Sequence, residues 1–285
     1  MKKRKNKKTK KENKEKSRKS EIKRKEKEIK EEKFRTKIVT LKPIGQLRNP
    51  ILIEGLPGIG FVGKLAAELL IEQFNGEKIA ELYSHHFPHQ VIINPDGTIK
   101  MLMNEFYLIR GKDRDYIVLV GDVQPVSPES QYEVMQKIIN FFESLNGKEI
   151  ITLGGYATGK FMEKPRVLGA VTHKELVDFL KKYDVVFGKN SDGTIVGAAG
   201  LLLALGKLKG MRGICLMGET HGNYIDYNSA KKVIEVLGKI LNLKIDTSQL
   251  EKKAEEIKKT VESLELQMQK LKERYGEKKE LTYFR

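Results

Sequence analysis

Residues 51–64 read Ile51-Leu-Ile-Glu-Gly-Leu-Pro-Gly-Ile-Gly-Phe-Val-Gly-Lys64, an apolar, strand-like run followed by a glycine-rich turn. Gly58, Gly60 and Gly63 have the G-x-G-x-x-G spacing of dinucleotide-binding proteins. Gly58, Gly63 and Lys64 also fit most of G-x-x-x-x-G-K-[ST], the phosphate loop of nucleotide hydrolases. The segment therefore predicts a strand, a tight turn and a helix, and it raises two hypotheses of nucleotide binding.

The phosphate-loop hypothesis is weakened because the sequence lacks the residue that binds magnesium. Such a loop needs a Ser or Thr hydroxyl after its lysine to bind magnesium, and this chain has Leu65 there. The interior of the loop holds Ile59, Phe61 and Val62, which we expect to pack rather than to leave room for phosphates. The apolar run 116–122 ends at Asp122 and resembles the Walker B motif of nucleotide hydrolases, but many buried strands also end at an acidic residue.

The dinucleotide hypothesis has the correct order of strand, turn and helix. Glu81 lies near the distance at which such proteins place a ribose-binding carboxylate. Against it, Pro57 crowds the turn, and residues 37–41 predict an earlier strand. A structural interpretation competes with both hypotheses: the glycines allow a strand-to-helix turn to approach neighbouring backbone closely. We favour that interpretation and keep a nucleotide site at Gly58–Lys64 as the alternative.

Composition limits the environment in which the protein works. The chain has 285 residues and one cysteine, Cys215, inside an apolar run, which excludes a disulfide framework and indicates a reducing compartment. No segment reaches the ~20 apolar residues of a membrane span, and residues 194–205 predict a buried helix instead. The N-terminus has no apolar signal sequence. These features predict a soluble, cytoplasmic protein without a membrane partner.

The net charge of +16 is concentrated at the N-terminus. Residues 1–35 contain 19 Lys and Arg against 7 Asp and Glu, with Phe34 as their one aromatic residue. Such a segment has too few apolar residues to form a core, so we predict a disordered basic tail. Nucleic acid is a predicted partner only through this tail, by charge.

The remainder of the chain alternates strand-like and helix-like segments. Ten strand-like runs lie between residues 37 and 217, and helices are predicted over 63–74, 128–145, 173–182, 194–207 and 229–241. This alternation indicates an α/β domain over residues 36–245, with a parallel or mixed sheet covered on both faces. Residues 78–120 lack helices and predict an antiparallel meander, with residues 94–97 (Asn-Pro-Asp-Gly) as a hairpin turn.

Helix caps support these boundaries. Ser127 precedes Pro128 and is predicted to cap the helix that follows. Thr172 precedes Glu175 by three residues, the spacing of a capping box.

Two further segments are candidates for ligand binding. His85, His86 and His89 are close in sequence, but Pro88 prevents a helix and no nearby Cys or carboxylate completes a metal site. The run 154–159 (Gly-Gly-Tyr-Ala-Thr-Gly) follows a strand, and it would either cradle an anion or form a plain loop. We predict no metal and no cofactor.

Glu219, His221 and Asp226 are the best candidates for catalysis. They follow a strand, and active sites of α/β proteins gather at the carboxyl ends of strands. The chain has no G-x-S-x-G elbow, and Cys215 is predicted to be buried within a strand. Without an activated nucleophile, we predict that the protein is not an enzyme.

The C-terminal segment 246–285 carries a heptad pattern. Apolar residues recur at spacings of four and three, flanked by Glu and Lys; they are Leu250, Ala254, Ile257, Val261, Leu264, Met268, Leu271 and Tyr275. Residues 246–248 supply capping side chains, and Gly276 supplies a stop. We predict a long coiled-coil helix that projects from the body. Leu264, Met268, Leu271 and Tyr275 would bind a sister subunit or another protein.

The chain ends in Tyr283-Phe284-Arg285. Aromatic side chains beside a free carboxylate are suited to a pocket lined by cationic residues. These three residues are therefore predicted to bind a partner.

Four segments together resemble the proteasome assembly chaperone family in its archaeal branch: residues 51–67, 153–159, 193–203, and Glu219-Thr220 with Gly222. The resemblance implies a three-layer α/β/α fold with a mixed sheet, like that of phosphorylases, and no established catalysis. It also implies homo-oligomers that bind the 20S proteasome or its α-subunits.

Some proteasome partners in that family end in hydrophobic-Tyr-any, a tail that inserts between α-subunits and opens the gate. Here Tyr283 fills the hydrophobic position and Phe284 replaces the tyrosine, so one hydroxyl is missing. The predicted function is an oligomeric assembly chaperone or ATP-independent activator of the proteasome. The alternative is a nucleotide-dependent enzyme, either ATP-using and ligase-like or dinucleotide-binding.

Overall fold

A computed structural model describes residues 34–188 and 193–257. In these residues each of the ten strand-like runs forms a strand. The strands are β1 Lys37–Thr40, β2 Ile51–Glu54, β3 Glu77–Tyr83, β4 Val91–Ile93, β5 Ile99–Met101, β6 Asn104–Arg110, β7 Asp115–Gly121, β8 Glu149–Ala157, β9 Val167–Val171 and β10 Arg212–Thr220.

The helices lie close to their predicted positions. They are α1 Val62–Gln73, α2 Pro128–Ser144, α3 Glu175–Lys181, α4 Ala198–Leu208 and α5 Tyr227–Leu241, and α6 covers residues 248–257 up to the edge of the described chain. A short 3-10 turn, Ile59–Phe61, leads into α1.

Eight strands form one mixed sheet in the order β1-β3-β6-β7-β2-β8-β10-β9. Its centre is parallel, because β2 pairs in parallel with β7 and β8, and β8 pairs in parallel with β10. Both flanks are antiparallel. The predicted meander is confirmed in part: β3, β6 and β7 are antiparallel neighbours, but β4 and β5 form a separate two-stranded sheet. The predicted hairpin turn joins β4 to β5 and is closed by Gly97 N donating to Asn94 O at 2.9 Å.

The core consists of two clusters, one on each face of the sheet. Along β2, Ile51 and Ile53 face a cluster that includes α1, α3 and α5, whereas Leu52 faces a cluster that includes α2 and α4. Alternate residues of a strand point to opposite faces, so the sheet is covered by helices on both sides. The architecture is three-layered, as predicted.

Two local predictions were wrong. Thr172 does not cap α3: its hydroxyl bonds instead to the backbone of Gly213, accepting from the N–H at 2.8 Å. Residues 154–157 do not form a loop or an anion cradle, because β8 continues to Ala157 and pairs with β10 along its whole length. In both cases β10 supplies the hydrogen-bond partners: Gly213 bonds to the Thr172 hydroxyl, and the β10 backbone pairs with residues 154–157. The cap at Ser127 is confirmed, with Ser130 as its reciprocal partner.

The start of α6 packs against the body. Leu250, the first heptad residue, is 5% exposed and belongs to the core cluster of α1 and α5. Asp246 exchanges hydrogen bonds with the Gln73 side chain, and Glu251 pairs with Lys231 at 2.8 Å. The helix therefore does not project from its first turn, because Leu250 completes an intramolecular core.

The other predictions for the termini fall on residues that the structure does not describe. The basic tail up to residue 33 and the predicted partner-binding residues lie outside the described ranges; the latter are Leu264, Met268, Leu271, Tyr275, Tyr283, Phe284 and Arg285. Within those ranges, no helix combines the length and the apolar character needed to cross a membrane.

Candidate functional site

Two glycines of residues 55–63, Gly55 and Gly63, lie where backbones meet. A Cβ added to Gly63 would lie 2.2 Å from Leu153 O, and one added to Gly55 would lie 2.4 Å from Gly63 O. Gly155, on β8, has the same relation to Ile59 O at 2.3 Å. Real Cβ atoms do not approach this closely, so each position requires glycine. The junction of β2 and α1 is thus packed directly against β8.

Lys64 is engaged by the protein itself. Its Nζ donates to Gly121 O at 2.7 Å, at the end of β7, and lies 3.4 Å from Glu68 one helical turn along. In a phosphate loop this amine would reach the β- and γ-phosphates. Here it ties α1 to the sheet, which supports the structural interpretation of the motif.

The side chains of the loop do not all pack as predicted. Val62 is fully buried, but Ile59 and Phe61 are 47% and 41% exposed. The reason is the backbone: Gly60 and Phe61 both have positive φ, 63° and 55°, which turns the Phe61 side chain outward. A non-glycine residue in this conformation is uncommon and marks a position to examine for function.

A buried carboxyl lies beneath the loop. Glu54, the last residue of β2, is 1% exposed; its Oε1 accepts from Leu56 N at 2.8 Å, and its Oε2 has no partner in the described structure. Burial raises the pKa of Glu54 to about 8. Thr152 lies beside it on β8, and Cys215 beside Thr152 on β10. Burial also raises the pKa of the Cys215 thiol to about 12, and the predicted burial of this cysteine within a strand is confirmed.

The topology excludes the dinucleotide geometry that the glycine spacing suggested. In that fold the strand carrying the ribose-binding acid lies next to the strand that precedes the glycine turn. Glu81 lies on β3, and β6 and β7 separate β3 from β2. The carboxylate of Glu81 instead binds Lys78 and Tyr83.

Of the three catalytic candidates, Asp226 lies against the glycine loop, where its N donates to Gly60 O at 2.9 Å. Glu219 is buried and bound by Arg166, whose Nε lies 3.0 Å from Oε2. Hydrogen bonds from this guanidinium hold the pKa of Glu219 below its usual range. Asp226 caps α5 through Ser229 N at 2.9 Å. Both carboxylates therefore have structural roles.

His221 is the remaining candidate of this group. Its ring lies 5.5 Å from that of Tyr224, centroid to centroid, and Nδ1 has no hydrogen-bond partner among the described residues. No serine, cysteine or threonine is hydrogen-bonded to this imidazole in the described residues, so the nucleophile and base pairing of covalent catalysis is not found there.

The histidine prediction needs a correction. Sequence inspection found no carboxylate near the histidines, but the structure brings Glu133 from α2 to 2.7 Å from His86 Nε2. His89 is not part of this group. Neither Glu133 nor Arg166 could be found from the sequence, because each is brought to its partner by the tertiary fold. Glu54 carried a visible sign, an acid at the end of an apolar run.

The comparisons with known proteins agree with this geometry. A model of the PAC2 family matches residues 52–265, more than half of the chain. The chain belongs to the PAC2 family. The uncharacterized protein MJ1210 of Methanocaldococcus jannaschii is 45% identical over 233 residues, which is 81% of this chain and 90% of that protein.

Solved structures extend the family assignment. Pyrococcus furiosus PbaB, an archaeal proteasome activator, is 42% identical with a TM-score of 0.78, over 81% of this chain and 99% of that chain. Pyrococcus furiosus PbaA, an archaeal homolog of proteasome-assembly chaperone, is 29% identical with a TM-score of 0.67, over 87% and 99% of the two chains. The resemblance to proteasome assembly chaperones is confirmed.

Proposed function

We propose that this PAC2 protein is a cytoplasmic, non-enzymatic partner of the 20S proteasome, acting as an assembly chaperone or an ATP-independent activator. The observation that carries the proposal is the 42% identity to PbaB over nearly the whole of that activator. The junction of β2 and α1 supports the non-enzymatic part of the proposal. Gly63 packs against the backbone of β8 and Lys64 bonds to Gly121 O, so both motif residues have a structural role without a nucleotide.

The proposed contact with 20S α-subunits lies in the C-terminal segment, beyond the first turns of α6. In this proposal Leu264, Met268, Leu271 and Tyr275 form a helical seam, and the last three residues, 283–285, dock between α-subunits. A helix with a narrow apolar stripe does not bury that stripe alone, which favours binding to a partner. The same seam, or the exposed Ile59 and Phe61, would join copies of this chain into a homo-oligomer.

Co-sedimentation with purified archaeal 20S particles tests the proposal. The full chain is expected to sediment with the particle equally well with and without ATP. The proposal would be contradicted if the chain bound neither mature particles nor isolated α-subunits. Light scattering of the free protein measures the oligomeric state separately.

Calorimetric titration with ATP, NAD and magnesium tests the alternative enzyme hypothesis. Because Lys64 is engaged and Leu65 offers no metal ligand, we expect no heat of binding to the native chain. Micromolar affinity for either nucleotide would contradict the purely structural interpretation of residues 58–64.

A further inference from the structure

A tight turn after β3 places two histidines side by side. Phe87 N donates to Ser84 O at 3.2 Å, so His85 and His86 are the two central residues of a β-turn. The Phe87 side chain is 7% exposed and belongs to the core, which anchors the turn. As a result the two imidazole rings lie 3.8 Å apart, centroid to centroid, with 36° between their planes.

A closed ring of hydrogen bonds fixes a carboxylate against this turn. His86 N donates to Ser84 Oγ at 3.1 Å, and the Ser84 hydroxyl lies 2.8 Å from Thr36 Oγ1. Thr36 Oγ1 donates to Glu133 Oε1 at 2.7 Å, and Glu133 Oε2 lies 2.7 Å from His86 Nε2. Ser84 and Thr36 are buried, so the ring holds Glu133 in place although Glu133 itself is half exposed.

The distances suit a metal ion. One ligand atom from each of His85, His86 and Glu133 lies within 4.8 Å of the other two. Tetrahedral zinc with bonds near 2.0–2.1 Å separates its ligand atoms by roughly 3.4 Å. Side-chain rotations that open the 2.7 Å contact of His86 Nε2 with Glu133 Oε2 and draw in His85 would complete the site. The described structure shows no hydrogen bond to the His85 imidazole, which leaves it available as a ligand.

We propose that His85, His86 and Glu133 bind one divalent first-row cation of the zinc type. Two imidazoles and a carboxylate match the ligand preference of such ions and leave a fourth position for water. Thr36 orients the carboxylate through Oε1, as hydrogen-bonded neighbours of metal ligands do. The ion would link the turn after β3 to α2. This proposal does not depend on the proteasome function.

The test is a titration of the metal-stripped full chain with Zn²⁺ by calorimetry and with Co²⁺ by visible absorption. One ion per chain is expected, with the intense absorption of tetrahedral cobalt. His86→Gln and Glu133→Gln should each weaken binding by about tenfold or more. His89→Gln is the matched control, since His89 lies in the same loop outside the cluster, and it should bind like the unchanged chain.

Zn²⁺ should raise the melting temperature of the unchanged chain and of His89→Gln, but not of Glu133→Gln. Should Glu133→Gln fail to fold, His85→Gln replaces it, because the structure shows no hydrogen bond to that ring. Absence of saturable binding would overturn the proposal. So would binding that survives unchanged in His86→Gln and His85→Gln, since the metal would then be held elsewhere.

Discussion

Gly63 is the residue on which the interpretation of the glycine motif rests. A methyl group there would lie 2.2 Å from the carbonyl oxygen of Leu153. We expect Gly63→Ala to lower the free energy of unfolding by about 3 kcal/mol, because overlap with a sheet backbone outweighs the helix-propensity gain of about 1 kcal/mol. Urea denaturation without nucleotide measures this change.

Gly154→Ala is the matched control. Gly154 lies on the same strand as Leu153, and an added Cβ there meets nothing within 4 Å. Its expected effect is within about 0.5 kcal/mol. If Gly63→Ala were as mild as Gly154→Ala, the junction would not be tightly packed.

Glu54 predicts a pH dependence of stability. The folded carboxyl keeps its proton up to its raised pKa of about 8, whereas the unfolded carboxyl loses it above its ordinary value of 4.5. The contribution of Glu54 to stability is therefore complete below pH 4.5 and is lost as pH rises to 8, by about 1.4 kcal/mol per pH unit. Between pH 4.5 and 8 the denaturant midpoint of the unchanged chain should fall, whereas that of Glu54→Gln should not fall from this cause. The midpoint of Glu54→Gln should therefore rise relative to that of the unchanged chain as the pH increases.

Glu68→Gln serves as the control for that experiment, since the Glu68 side chain is 47% exposed and its ion pair among the described residues is with Lys64. It should keep the pH slope of the unchanged chain. Parallel pH profiles for Glu54→Gln and the unchanged chain would show that the buried carboxyl does not hold its proton.

Single residues were predictable where chemistry alone decides. The absence of a metal-binding hydroxyl at position 65 can be read directly from the sequence. The burial of Cys215 was predicted from its apolar neighbours and is confirmed. The exposure of Phe61 was not predictable, because it depends on a positive φ that apolar character does not reveal. The contact of Glu133 with His86 joins residues 47 apart and arises only when α2 packs on the sheet.

At the scale of elements, the docking of α6 leads to a stability prediction. Leu250 is 5% exposed within the core of α1 and α5. Leu250→Ala should lower the free energy of unfolding by about 2–3 kcal/mol, as for other large-to-small core substitutions. The exposed neighbour Lys252→Ala should change it by less than about 0.5 kcal/mol. Equal denaturation curves for the two variants would mean that α6 is not anchored.

Element positions were predictable because periodicity and turn residues are local. Ser127 capped its helix as expected, since its partner Ser130 lies three residues away. Thr172 failed as a cap because β10 offered it the backbone of Gly213. The glycines at 154 and 155 indicated a loop, but pairing with β10 kept them in a strand. Non-local hydrogen bonds decided the two predictions that were wrong.

At the scale of the whole molecule, a mixed sheet covered on both faces followed from the alternation of elements. The strand order did not, because it depends on which crossovers pack best on either face. That order is what separates Glu81 from the glycine turn. Charge and composition indicated a basic tail, which lies outside the described residues.

In the proposed function the chain binds the proteasome through residues 264–275 and the terminal residues 283–285. A chain ending at Ile257 tests this contact, because it removes those residues and keeps Leu250 and the Glu251–Lys231 pair, which anchor the start of α6. Full-length Tyr283→Ala/Phe284→Ala isolates the terminal aromatics, with Thr282→Ala as the control. Light scattering of each chain first measures its oligomeric state, so that a loss of docking is distinguished from a loss of oligomerisation.

The decisive measurement is the affinity of each chain for 20S particles by surface-immobilised binding. We predict tight binding of the full chain and of Thr282→Ala, a loss of about tenfold or more for the double variant, and no measurable binding for the chain ending at Ile257. Unchanged affinity of the chain ending at Ile257 would contradict binding through the C-terminal residues.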